Sequence, residues 1–416
     1  MNANLMKLVG TRDGAVGTLL FLFPFLSLVT LWGVSLASFV FFIAALFFIP
    51  AERAALRPHW PEVRGVVFAF LFHFLFAFAC YLARSGDNLG TLEKPSRMFF
   101  AISALVLVLV FKPHRRMLWW GVVGGAMAGV LFVAYQRLEL DLARPGGWIN
   151  AITFGDISLC LGLVALAAAV DLRGSGKAHW ASLGALTGLT GSILTGTRGG
   201  WIALFVAALV FIRYSHVLSS KRVRALVVVS FALVGATFFI PEAGVRERVE
   251  QGVYDVTTYF GGGSAFTNVG IRLELWKGAG MLIAENPLFG MDLPSAHARL
   301  AEHVKAGRLD AVVLPMPHFH NDALQRLVTG GVVGFAAWLS ILLAPLIFFA
   351  RVLSRKTHAS KPRFALALAG MLVVTCYFSF GLTEVIFWSV KASLFYALMV
   401  FLLMGLCLNA KETDGK

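Results

Sequence analysis

Three short stretches hold the residue types that polar chemistry needs, in a chain otherwise dominated by apolar runs. The first is Thr195-Gly196-Thr197-Arg198-Gly199-Gly200-Trp201. An arginine flanked by glycines lets a large anion reach both the guanidinium and exposed backbone N–H groups. A helix that begins there adds its N-terminal dipole. Arginine suits phosphate because its planar fork donates two parallel hydrogen bonds and stays ionised. The same stretch also fits an interfacial anchor with glycines for a tight turn. The second is Arg272, which shares one helical face with Trp276, Ala279 and Ile283. Alone it equally fits an amphipathic helix with a snorkelling arginine. The third is Pro317-His318-Phe319-His320-Asn321-Asp322. A histidine, with an unperturbed pKa of about 6.5, can act as a general base beside an Asn and an Asp. His-x-His with a nearby carboxylate can also ligate zinc; the sequence shows no clear third and fourth ligand, and His297 and His303 on the same loop keep that reading open. A loop histidine pair satisfied by backbone is the third reading.

Weaker features surround these. Glu139 and Asp141 form an acidic pair that fits a divalent cation, or more simply a solvated loop near Arg137 and Arg144. No Asp-x-Asp occurs, so metal-dependent sugar transfer has little support. His73, Asp156 and Lys391 fall within apolar runs, where ionisable groups are costly and are functional candidates by default. Asp156, near one end of its run, is placed to orient an arginine, and Glu384 to pair with one. The four cysteines, Cys80, Cys160, Cys376 and Cys407, also lie in apolar runs and read as small buried hydrophobes. No phosphate-binding glycine loop, dinucleotide fingerprint or Ser-His-Asp order is present.

The elements that position these residues are membrane helices. Of 416 residues, 58% are hydrophobic and 14% charged, against roughly 25% charged in soluble domains. Charge-free runs of about 18 or more residues recur along the chain, and each spans the hydrocarbon core as a helix. This excludes a soluble enzyme, a disordered chain and a small secreted scaffold. Twelve spans are expected, near residues 14–31, 33–50, 65–83, 98–111, 117–136, 149–170, 179–196, 199–212, 223–240, 328–350, 364–382 and 386–408. Lys and Arg concentrate in alternate loops, such as Arg53, Arg57, Arg64, Arg115, Arg116, Lys221, Arg222, Arg224, Arg355 and Lys356, which places both termini in the cytoplasm. The net charge of +14 is then largely topogenic, and no nucleic-acid partner is needed. The chain divides into transmembrane helices over 1–240, a non-cytoplasmic loop over 241–327, and transmembrane helices with a tail over 328–416. Within the loop, Gly261-Gly262-Gly263-Ser264 precedes a helix expected from Asn268 to Glu285, stopped by Asn286-Pro287. A second helix is expected from Ser295 to about Gly307. A long loop with its own helices is more often functional than a linker.

The Arg-Gly-Gly-Trp turn, the Arg-x-x-x-Trp helix, Asn-Pro-Leu-Phe-Gly at 286–290 and His-Asn-Asp-x-Leu-Gln at 320–325 occur in that order on one membrane face. In this the chain resembles the O-antigen ligase and polymerase superfamily, which includes protein O-oligosaccharyltransferases. The resemblance implies an all-α, GT-C-like glycosyltransferase of the bacterial inner membrane with a periplasmic active site. It implies glycan transfer from an undecaprenyl-diphosphate-linked donor, without a metal or other cofactor in the ligases. Arg198 matches the arginine of the family's Arg-Gly turn, Arg272 the arginine opening the loop helix, and His320 the histidine of the His-Asn motif. These three are the expected catalytic residues. Trp276, His318, Asn321, Asp322, Gly199 and Gly200 are expected to line the substrate site, with Asn321 or Asp322 fixing the imidazole tautomer. The expected reaction is ligation of O-antigen to lipid A–core. Polymerase or oligosaccharyltransferase activity is the alternative within the superfamily, and a transporter or flippase the alternative outside it. The absence of an internal repeat and the single large loop count against transport.

Overall fold

The computed structural model describes residues 3–84, 88–197, 199–214, 245–354 and 360–414, with isolated positions between 221 and 232. All regular elements among the described residues are helices. Seven are long and apolar enough to cross a membrane: Arg53–Ala83, Gly90–Phe111, Arg116–Leu138, Ala151–Asp171, Asp322–Ser354, Lys361–Gly381 and Val390–Lys411. Shorter apolar helices cover Gly14–Val29, Gly33–Leu46 and Gly199–Arg213. The twelve expected spans are thus met by fewer full-length ones among the described residues. The second expected span shows why. Its helix, α2, is Gly33–Leu46, and 14 residues at about 1.5 Å each fall short of the roughly 30 Å hydrocarbon thickness. The expected span at 223–240 lies outside the described residues.

Before the loop, the remaining helices are α1 (Ala3–Val29), α3 (Ile49–Leu56), α4 (Trp60–Ala83), α5 (Gly90–Phe100), α6 (Ile102–Phe111), α7 (Arg116–Leu138), α8 (Ala151–Asp171), α9 (Ala178–Leu194) and α10 (Ile202–Arg213). Helices α8 and α9 pack most intimately. A Cβ added at Gly188 would lie 2.6 Å from the Gly162 Cα, so only paired glycines allow this approach. The centre of the bundle is α8 with the last two helices, α15 (Lys361–Gly381) and α16 (Val390–Asp414). Helix α16 is buried almost continuously from Ala392 to Leu408. Its sequence, apolar on every side, suits a helix surrounded by protein.

The loop forms its own small core. Helices α11 (Val245–Phe260), α12 (Asn268–Glu285) and α13 (Leu293–Lys305) bury Leu275, Ala279, Leu282, Leu300, Val313 and Phe319 together. Helix α12 has the limits its sequence announces. The Thr267 side chain caps it by accepting from the Gly270 N–H, and Asn286-Pro287 follows its end. Helix α13 begins two residues before the expected Ser295, because Asp292 is the cap and accepts from the Ser295 N–H.

The helix expected from residue 328 begins earlier. Helix α14 spans Asp322–Ser354 and is broken at Gly331, whose φ of 58° and ψ of −161° are outside helical values. The Asn-Pro-Leu-Phe-Gly motif fills this break. The Val332 and Val333 N–H groups donate to the carbonyls of Pro287 and Leu288 at 2.8 and 3.2 Å, and the Met291 N–H donates to the Val328 carbonyl at 3.0 Å. A Cβ at Gly331 would lie 2.3 Å from the Leu288 carbonyl carbon, which explains the glycine. The broken helix therefore gains backbone partners from the loop, as nonhelical backbone at membrane depth requires. The same hydrogen bonds tie the loop to the bundle.

Candidate functional site

The histidine motif occupies the turn between the loop core and α14. Phe319 is buried and points inward, and its N–H donates to the Gln325 Oε1 at 3.2 Å. The Trp276 Nε1–H donates to the Phe319 carbonyl at 3.0 Å. His320 then takes a left-handed conformation, φ 50°, uncommon for a residue with a side chain. Asn321 caps α14: its Oδ1 accepts from the Leu324 N–H at 3.0 Å, while its Nδ2 donates to the Leu382 carbonyl at 3.1 Å. The second bond joins this turn to the connection between α15 and α16.

That connection supplies the acid. His320 Nδ1 lies 3.1 Å from Glu384 Oε2, and His318 Nε2 lies 3.3 Å from Glu384 Oε1. The Val385 N–H also donates to Oε1, at 3.0 Å. The His320 N–H points at His318 Nδ1 from 3.4 Å. With that nitrogen accepting, His318 carries its proton on Nε2 and donates it to Glu384. Glu384, as a carboxylate, accepts from the Nδ1–H of His320, which leaves the His320 Nε2 lone pair without a partner among the described residues. The protonation of each ring is inferred from this network.

Electrostatics agree with this assignment. Burial works to raise the Glu384 pKa, but the His320 hydrogen bond, the charges of both histidines and the Val385 N–H together hold it below the ordinary carboxylate value. Burial is also the main influence on His318, and it lowers the pKa; Glu384 opposes that, while His320 and Arg272 reinforce it. Burial thus disfavours the protonated form of His318. The rings of His318 and His320 meet edge to face at 4.5 Å, and His318 packs on Trp388 at 5.4 Å.

The expected site residues gather only partly. Arg272 on α12 is half-buried and its charge reaches His318. Arg198 lies outside the described residues. Its neighbours are placed: a Cβ at Gly199 would lie 2.4 Å from Thr383 Oγ1, and one at Gly200 would lie 2.3 Å from Asp156 Oδ1. The glycines thus let this turn close onto α8 and onto the residue preceding Glu384. Glu384 was expected to pair with an arginine; among the described residues it is held by two histidines instead. The role of fixing the imidazole, expected of Asn321 or Asp322, falls geometrically to Glu384. The Asn321 amide is engaged elsewhere, and the buried Asp322 carboxylate faces Gly381, with Oδ2 2.9 Å from where a Cβ would be.

Other candidates separate from the site. His303 bonds Glu285 at 2.9 Å on the loop's far helices, so it adds no ligand to the motif. Lys391 donates to the Thr30 carbonyl at 2.6 Å. His318, His320 and Glu384 do offer three ligand atoms within 4.8 Å of one another, so the donor set fits a metal as well as a carboxylate-oriented base. The sequence marked Glu384 as a partner for an arginine and had no signal for its pairing with the histidines, since 64 residues separate it from His320. Trp388 was missed for the same reason.

Comparison with known proteins agrees with the motifs. Residues 183–339 match the family described as O-antigen ligase. That segment holds the Arg-Gly turn, the loop helices and the histidine motif, and stops before Glu384. An uncharacterized protein of Haemophilus influenzae is 24% identical over 344 residues, which cover 81% of this chain and 84% of that one. The resemblance to an O-antigen ligase-like superfamily member is therefore shown over 183–339.

Proposed function

We propose that this O-antigen ligase-like chain is a glycosyltransferase that moves an O-antigen glycan from undecaprenyl diphosphate to a sugar hydroxyl of lipid A–core. It works at the periplasmic face of the inner membrane, with both termini cytoplasmic. The observation that carries the reading is the 3.1 Å contact between His320 Nδ1 and Glu384, which leaves Nε2 available as a base. A carboxylate in this position selects the tautomer and stabilises the imidazolium that forms, as in hydrolytic triads.

The acceptor hydroxyl attacks the anomeric carbon while His320 Nε2 takes its proton. The new C–O bond forms as the bond from the anomeric carbon to the diphosphate oxygen breaks. Undecaprenyl diphosphate leaves with the electron pair, and the single displacement inverts the anomeric centre. Arg198 and Arg272 stabilise the charge gathering on the diphosphate, the task a cation performs elsewhere. Trp276 holds the loop carrying His320, and Gly199 and Gly200 let the Arg198 turn approach.

The test uses purified protein, an undecaprenyl-diphosphate-linked glycan and lipid A–core, with chelator present. Glycan on lipid A–core is expected; lengthening on the original carrier would make the protein a polymerase, and no covalent product would favour transport. His320→Ala should abolish transfer and spare donor binding. Arg198→Lys and Arg272→Lys should lose most activity, because a point charge cannot replace the bidentate fork. Near-normal transfer by either lysine variant would remove that arginine from diphosphate binding. Transfer that chelation stops and zinc restores would assign the triad of His318, His320 and Glu384 to a metal.

A further inference from the structure

A second polar feature lies across Trp388 from the histidines. Helices α4, α5 and α14 enclose a cavity of 370 Å³, within the range of small-ligand sites, about 300–1,000 Å³. Arg84, Lys94, Arg326 and His73 line it, and among the described residues no carboxylate does. Asp322, one turn before Arg326, and Glu93, beside Lys94, lie outside the lining and offset part of the charge. Three cations around one cavity repel each other, and burial makes that repulsion costly. Two atoms also lack partners among the described residues: Arg326 Nε and His73 Nδ1 are buried without a hydrogen bond, and His73 is only 7% exposed. The other cations are pinned in place. Arg84 donates to the carbonyls of Thr329 and Phe289, and Lys94 donates to the Trp388 carbonyl at 3.0 Å.

We infer that this cavity is an anion site that takes the phosphate of a lipid. An anion there neutralises the cluster of cations that lines the cavity. A phosphate fits better than a carboxylate because it offers more acceptor oxygens to the separate arginine and lysine donors. Trp388 makes the site adjacent to the proposed base: Lys94 sits 5.2 Å over the Trp388 ring, against which His318 also packs. Arg84 further couples it to the loop, since its two carbonyl partners flank the break in α14. The choice of a lipid as the phosphate's bearer rests on the transferase reading; the cation cluster does not.

The test is binding, measured on the full chain in detergent by native mass spectrometry and equilibrium titration. The probes are undecaprenyl diphosphate, phosphatidylglycerol, inorganic pyrophosphate and neutral undecaprenol. Lys94→Gln and Arg326→Gln are compared with the unmodified chain, each also in an Arg272→Gln background so that the other site does not mask the loss. At least one phosphate probe should bind, undecaprenol should bind at least tenfold more weakly, and Lys94→Gln should weaken the phosphate probe at least tenfold. The tightest of the three phosphate probes identifies the source: carrier lipid, bilayer lipid or free anion, and the last overturns the lipid part. Lys94→Gln and Arg84→Gln carry the test if Arg326→Gln does not fold. Equal phosphate binding with and without Lys94, at unchanged melting temperature, overturns the inference. Because the readout is binding, a chain that binds the phosphate lipid but transfers no glycan would sink the transferase reading alone.

Discussion

Glu384→Gln tests the proposed chemistry most directly. Three donors converge on the Glu384 oxygens: His318 Nε2–H, His320 Nδ1–H and the Val385 N–H. Glutamine keeps the shape but offers one acceptor oxygen and an NH2 group that only donates. If the oxygen stays with Val385 and His318, the NH2 faces His320. Nδ1 must then accept, the ring proton moves to Nε2, and the base is lost. If the amide flips, His320 keeps its tautomer but the Val385 N–H loses its side-chain acceptor, and no negative charge remains to stabilise an imidazolium. General-base catalysis contributes about 10²–10⁴ in rate, which is roughly 3–5 kcal/mol at about 1.36 kcal/mol per tenfold. We expect single-turnover transfer to fall by about that factor in Glu384→Gln, with donor affinity unchanged. Glu384→Asp, which keeps the charge on a shorter arm, should fall between the two. The assay follows glycan mobility on a gel after mixing enzyme–donor complex with excess acceptor. Transfer within about threefold of the unmodified chain, in a protein of unchanged melting temperature, would refute the orienting role and with it the assignment of His320 as base.

Three further outcomes follow from the same contacts. Trp276→Phe removes the N–H that holds the Phe319 carbonyl; the loss of one such bond, about 0.5–1.5 kcal/mol, should lower kcat severalfold, whereas an equal change in KM alone would place Trp276 in substrate binding instead. Tyr259→Phe removes the hydroxyl that donates to the buried Glu274 and links α11 to α12, an interaction that, with burial, pushes the Tyr259 pKa up to about 12. The loop should become more sensitive to limited proteolysis, with melting unchanged as the contrary result. Acid should destabilise the fold around the histidines: burial lowers the folded pKa of His318, so the unfolded chain binds more protons as pH falls below about 6.5, and stability declines there. Glu384, also held low, adds its loss further down, as pH falls through the carboxylate range. Thermal melts of His318→Gln should show a shallower decline between pH 7 and 5 than the unmodified chain; parallel curves would count against the assignment.

The helix over 268–285 was fully legible because its stop is chemical: Asn286-Pro287 cannot continue it. The same motif's second task, filling the break at Gly331, was not legible, since it depends on where two segments meet in space. Membrane helices were legible as apolar runs, but their lengths were not. Residues 14–50 read as two spans, whereas α2 ends at Leu46 and α3 follows, with Phe47 and Phe48 between them. Hydropathy does not register this, because the turn is itself apolar. Of the site, the histidine motif and Arg272 were visible as residue types, and Glu384 was visible only as an acid in a short connection. Nothing in local spacing distinguishes a partner for arginine from a partner for histidine. The sequence offered no reason to group Arg326 with Lys94, because only the packing of α4, α5 and α14 brings them to one cavity.

The division of labour between rigid and adaptable parts supports the proposed roles. Glu384, the acid proposed to orient the base, sits in the connection between α15 and α16, two of the most buried helices of the bundle. His320, the proposed base, sits on a turn bound to the loop core by Trp276 and to that connection by Asn321. Precision of a few tenths of an ångström in a proton transfer needs such support on both sides, because a misplaced imidazole forfeits much of its advantage. The loop is in turn held by backbone hydrogen bonds at the Gly331 break and by Arg84, which reaches the carbonyls of both Phe289 and Thr329. A lipid phosphate bound beside Arg84 would therefore act on a residue that already fastens the loop to α14. Occupancy of the cavity and the geometry of the base are then linked through one side chain. On this argument Arg84→Gln should lower both phosphate-lipid affinity and kcat, whereas His320→Ala should lower kcat alone.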